Sequence, residues 1–92
     1  MIQSFRDAAT RRFYDGERVK EFDQIRKQAF RKLDMLNAAA TLEDLRSPPG
    51  NRLEALKGDR AGQHSIRIND QFRLCFEWTD QGPANVEIGD YH

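Results

Sequence analysis

The sequence predicts an α+β fold, an antiparallel sheet with N-terminal helices packed on one face. Two observations carry this. Apolar residues from Phe22 to Ala39 recur at helical spacing. After the "SPPGN" stretch the chain breaks into short alternating segments separated by turn residues.

The elements follow in order. "MIQSF" alternates imperfectly through Ile2 and Phe5 and reads as a short edge strand. "RDAATRRFYDGERVKE" is polar and suggests a short helix or a mobile loop. Phe22, Ile25, Ala29, Phe30, Leu33, Met35 and Leu36 give the long helix its apolar side, with Asp23 as its N-cap. Arg26, Lys27, Lys32 and Asp34 are left for the other faces. Thr41 and Asp44 have capping-box spacing, which predicts a second, very short helix. "SPPGN" ends it, because proline cannot continue a helix. "RLEALK" is a short strand and "GDRAG" a turn-rich connection. "QHSIRI" and "FRLCFEW" form a hairpin across "NDQ", and "ANVEIGDYH" follows the turn at "TDQGP" as the last strand.

The first hairpin can be phased. A two-residue loop would set Arg73 opposite Ile66, placing an arginine among isoleucines. A three-residue loop, Asn69 to Gln71, pairs Ile66 with Leu74 and Arg67 with Arg73. Only an odd loop length gives both strands an apolar face, because a one-residue slip turns every side chain over. The same reasoning at the next turn pairs Phe76 with Val86, Leu74 with Ile88 and Arg73 with Gly89. Tyr91 then projects from the face that carries Arg67 and Arg73. Two cations directly opposed on a sheet repel one another. Either both are splayed into solvent, or together they form an anion site, since guanidinium matches phosphate bidentately.

Length and composition set bounds. At 92 residues the chain is expected to be one domain, 1–92. Its formal net charge is zero, yet residues 46–76 carry six basic and three acidic side chains. That local excess matters to a polyanion within a Debye length of about 8–10 Å. One cysteine, Cys75, allows no internal disulfide and suits a reducing cytoplasm. No run is long enough for a signal peptide or a membrane span.

Several chemistries find no support. His64, His92 and Cys75 lack companion ligands at useful spacing, so no metal site is expected. His64 phases onto the core face. No glycine-rich phosphate loop precedes a helix, and no cofactor is implied. What remains is an acid–base set: Lys57, Arg73, Asp90, Tyr91 and His92. Metal-free RNA cleavage needs a base for the 2′-hydroxyl, a cation at the phosphate and an acid for the leaving oxygen. A positioned acid or base contributes about 10²–10⁴-fold. An α-carboxylate on His92, as the last residue, would favour its imidazolium, and Arg73 would oppose it.

"RSPPGNRLEALKG", "LKGDRAGQHSIRINDQFRLCFEW" and the closing "GDYH" resemble the HigB toxins of the RelE/ParE superfamily, the "plasmid maintenance killer" proteins. The likeness is closest over residues 46–92 and holds only in outline before residue 40. It implies a RelE-like microbial ribonuclease fold and a ribosome-dependent mRNA interferase that cleaves the codon in the A site of the 70S ribosome. It also implies a helix-turn-helix antitoxin of HigA type, with operator DNA bound only through the antitoxin complex. The family's functional positions fall on Lys57, Arg73, Asp90, Tyr91 and His92. By analogy Arg73 and Lys57 would hold the scissile phosphate, Tyr91 would stack on a base, and Asp90 and His92 would share proton transfer. Arg67, Arg60, Arg52 and Glu54 would contact RNA or the ribosome around them. Some members have histidine where this chain has Glu54, which leaves Asp90, His92 and Glu54 all open as the general base. A ParE-like gyrase poison and a non-catalytic antitoxin-binding module are the alternatives. An acid–base cluster argues against a protein that only binds.

Overall fold

A computed structural model describes residues 1–90. Helix α1 spans Ala8–Tyr14, capped by Asp7, whose side chain accepts from the Thr10 amide. A 3₁₀ segment, Lys20–Ile25, leads into helix α2, Arg26–Ala38. Two 3₁₀ turns follow, Leu42–Arg46 and Pro49–Asn51. Strand β1 is only Glu54–Ala55, and a further 3₁₀ turn covers Gly58–Arg60. Strands β2 (Gln63–Arg67), β3 (Phe72–Thr79) and β4 (Gly82–Asp90) complete an antiparallel sheet in the order β1-β2-β3-β4. The α+β architecture with helices on one face is as the sequence predicts.

The core lies between helices and sheet. Phe13, Ile25, Ala29, Leu33, Leu36 and Leu45 pack against Ile66, Leu74, Phe76, Val86 and Ile88, all buried. Burying such side chains is the main favourable term for a chain this short, worth roughly 1.5–3 kcal/mol each for the larger aliphatic and aromatic ones. Phe13 meets Phe22 edge-on at 5.4 Å and Phe30 at 4.6 Å, so the 3₁₀ segment is pinned by aromatic contact.

Four local expectations are revised. The opening strand shrinks to a single parallel bridge, Phe5 to Val86, with Gln3 and Arg6 donating to Pro83 and Val86 carbonyls at 2.8 and 2.9 Å. Asp23 is not an N-cap. It lies inside the 3₁₀ segment and binds Arg18 at 2.8 Å, and α2 starts after Ile25 with no side-chain cap. Lys32 is not on a solvent face, because its ammonium donates to Asn51 Oδ1, on a fully buried side chain. The second hairpin turns tightly through Asp80 and Gln81, with Thr79 opposite Gly82. Gly82 has a φ of +124°, and a Cβ there would sit 2.5 Å from the Met1 carbonyl oxygen, so no other residue fits this turn unstrained.

The tight turn alone would put β4 out of phase. A bulge restores it. Glu77 pairs with Ala84, but Cys75 pairs with Glu87, so Asn85 and Val86 together oppose Phe76. Asn85 takes the left-handed conformation, φ 51°, that such a bulge requires. Beyond it the register is the predicted one: Leu74 with Ile88, Arg73 with Gly89. Among the described residues no helix is long and apolar enough to cross a membrane.

Candidate active site

The three-residue loop is set by Asn69, whose Oδ1 accepts from the Gln71 and Phe72 amides at 2.9 and 2.7 Å. The result is the predicted pairing of Arg67 with Arg73 on the face away from the helices. Gly89 flanks Arg73 on the other side and brings no side chain to that face.

The two guanidiniums do not simply splay apart, because each has its own acceptors. Arg67 pairs with the exposed Asp70 carboxylate. Arg73 lies back across the sheet. Its Nε donates to Ser65 Oγ at 2.8 Å, and one terminal nitrogen donates to the Arg52 carbonyl at 2.8 Å. Glu54 Oε1 is 3.9 Å from that same nitrogen. The Arg73 side chain is 18% exposed, and these two hydrogen bonds leave three of its five N–H donors. An arginine held this way is pre-oriented for an oxyanion at little further entropic cost.

Each anchor has a local cause. Ser65 is fully buried on the outer face, in a row that runs Glu54, Ser65, Cys75, Glu87 across the four strands. Arg73 belongs to the next row and covers Ser65 diagonally. Arg52 presents its carbonyl because it follows the Pro49–Asn51 turn in a left-handed conformation, φ 46° and ψ 53°. Asn51 fixes that turn from inside, donating to the Leu45 and Ser47 carbonyls.

The remaining candidates sort by position. Glu54 joins Arg73, while its own carboxylate is more than half exposed. Lys57 is exposed just beyond β1. Arg60 is partly buried. It pairs with Glu87, to which Arg6 adds a contact at 3.8 Å, so it braces the turn after β1 against β4. Asp90 is in register with Phe72 on the helix side of the sheet, and its carboxylate accepts from Gln71 Nε2 at 3.0 Å. Of the two candidate bases described, Glu54 is therefore the one beside Arg73. Tyr91 and His92 lie outside the described residues. His64 packs its ring over Phe76, 6.3 Å between centroids, on the core face and away from this set. Among the described residues no His, Cys, Asp and Glu group could hold a metal ion. Sequence reasoning missed Ser65 and the Arg52 carbonyl. The register makes Ser65 an outward residue diagonal to Arg73, but does not say that the arginine lies over it.

The small sheet thus carries an anchored arginine with a carboxylate beside it on one face and packs the helices on the other, a compact α+β arrangement. In shape the chain is similar to a chain of the "YoeB-YefM complex from Staphylococcus aureus", with a TM-score of 0.63 over 100% of this chain and 98% of that one, at 22% identity. The Staphylococcus aureus YoeB dimer gives 0.57 at 23% identity over 99% and 94% of the two chains. A family model described as the RelE-like toxin of type II toxin–antitoxin system HigB matches residues 3–92. Toxin HigB-1 of Vibrio cholerae serotype O1 is 43% identical over 90 residues, 96% of this chain and 95% of that protein. An uncharacterized protein of Haemophilus influenzae is 37% identical over 88 residues, 94% and 87% of the two chains. The chain belongs to the HigB family of RelE-like toxins of type II toxin–antitoxin systems.

Proposed function

We propose that this toxin is a ribosome-dependent endoribonuclease that cuts mRNA in the A site by acid–base attack of a 2′-hydroxyl on the adjacent phosphate. The observation that supports it most is the Arg73 guanidinium, pinned by Ser65 and the Arg52 carbonyl with the Glu54 carboxylate alongside. Arg73 and Lys57 take the charge that grows on the phosphate. Glu54 takes the 2′-hydroxyl proton, which is supported by its place next to the phosphate-holding arginine. His92 serves the leaving 5′-oxygen, and Tyr91 stacks on a base. The 2′-oxygen–phosphorus bond forms as the phosphorus–5′-oxygen bond breaks, so a proton leaves at one end and arrives at the other.

The same reading includes a helix-turn-helix antitoxin of HigA type, with operator DNA reached only through the pair, and a cytoplasmic place of action. It is tested by mapping 5′ ends of transcripts after brief induction, with Arg73→Ala as control. New ends inside codons, absent with Arg73→Ala, are expected. Gyrase-cut DNA with intact transcripts would replace this reading with a ParE-like one. Arrest with neither lesion would replace it with a non-catalytic one.

A further inference from the structure

A second group of cations lies outside the Arg73 set. A cleft of about 220 Å³ opens between α2 and the end of β2, lined by Gln28, Arg31, Lys32, Gly50, Arg67 and Ile68. None of the residues lining it is a carboxylate. Lys32 is half-buried there, its ammonium on Asn51 Oδ1, and its pKa is lowered by burial first and then by Arg31 and Arg67. Three positive groups thus act on one another with little compensation. The Asp70 carboxylate pairs with Arg67 and is itself 98% exposed, so solvent screens it. Like charges held together this way cost stability unless an anion joins them.

We propose that this cleft is a second anion site, binding a phosphodiester of RNA. The choice of RNA rests on the nuclease reading, and the anion site itself rests on the cleft. Arg67 is the link. It lines the cleft and stands directly opposite Arg73, at the roughly 4.5–5.5 Å Cα spacing of an antiparallel pair. Arg67 therefore joins the sheet face that carries Arg73 to the cleft beside α2, the direction a polyanionic backbone would follow. Gln28 adds a neutral amide donor to two guanidiniums and an ammonium. The phosphate comes either from the mRNA strand or from ribosomal RNA, and the two share this chemistry.

The test uses the full chain and a short 2′-O-methyl oligoribonucleotide, which binds but cannot be cut. Arg31 is exposed, so Arg31→Gln leaves the fold alone. It should weaken binding roughly fivefold to tenfold at low salt and flatten the salt dependence by about 0.7 in log–log slope. Asp70→Asn frees Arg67 and should tighten binding by roughly twofold to fivefold, a gain no loss of structure would mimic. Unchanged affinity in both variants overturns the site. So does an unchanged oligonucleotide affinity with weakened binding of the purified antitoxin, which would mark a protein-docking surface instead. Ribosome sedimentation decides the source. Weaker binding of Arg31→Gln only to mRNA-programmed ribosomes points to the message, and to empty ribosomes as well points to ribosomal RNA. Measuring Arg31→Gln in the Arg73→Ala background separates the two claims. A persisting Arg31 effect upholds the cleft whatever happens to cleavage, intact cleavage in Arg73→Ala sinks only the role given to Arg73, and absence of cleavage by the parent toxin sinks only the nuclease reading.

Discussion

Arg73 owes its usefulness to two neighbours as well as to its charge. Without Ser65 Oγ and the Arg52 carbonyl, the guanidinium would share the sheet face with Arg67 and be driven off it. Ser65→Ala should therefore slow cleavage of ribosome-bound mRNA by roughly 10- to 100-fold with ribosome affinity unchanged, because the arginine is still present but no longer aimed. An unaltered single-turnover rate would show that Ser65 has no part in positioning it. Glu54→Gln keeps the shape and removes the proton acceptor, and should cost about 10²-fold or more. If the rate instead rises, Glu54 merely repels the phosphate. At this scale the sequence was legible where spacing decides. Arg67 opposite Arg73 follows from loop parity alone. Ser65 stayed hidden because a diagonal contact depends on where a long side chain lies down, and neither alternation nor residue type records that. The pairing of Arg60 with Glu87 stayed hidden for the same reason, since it joins positions 27 residues apart.

Among the elements, the bulge in β4 does most to place the site. It converts the two-residue turn at Asp80 and Gln81 into the register that sets Gly89 beside Arg73. The sequence reading reached the right register near Arg73 but allowed for a bulge only near the end of the strand, not opposite Phe76. "PANVE" carries no glycine to announce a bulge, and asparagine supplies the left-handed residue instead. Asn85→Val should destabilise the chain by roughly 1–2 kcal/mol, while Asn85→Gly stays within about 0.5 kcal/mol, read from denaturant midpoints. Equal midpoints for the two would deny the conformational role. The capping box at Thr41 and Asp44 was fully legible, and both its hydrogen bonds form. The Thr41 and Ala40 amides hold the Asp44 carboxyl below its ordinary value. That contribution is present above the ordinary aspartate pKa and is lost as pH falls through the lowered one. Asp44→Asn should thus melt lower than the parent at neutral pH, with the gap closing on acidification. A gap independent of pH would contradict this.

For the whole molecule, the division of labour between the two sheet faces is what permits function on so short a chain. One face is spent on the core, where Leu74, Phe76, Val86 and Ile88 meet the helices. The other carries Glu54, Ser65, Arg67 and Arg73 with no helix over them, so an RNA strand can lie there. Zero net charge does not oppose this, because the cations are gathered where they are needed and the acids are placed elsewhere or paired. The fold class, the face assignment and the Arg67–Arg73 pair were all readable from periodicity and parity. The cleft beside α2 was not, since Lys32 reads as a solvent residue on a helical wheel and is drawn inward by the buried Asn51. The most direct measurement is the single-turnover rate at which the purified toxin cuts A-site mRNA on reconstituted ribosomes, compared with Arg73→Ala. A fall of about 10²–10³-fold, with folding and ribosome affinity retained, is predicted; equal rates would contradict the central claim.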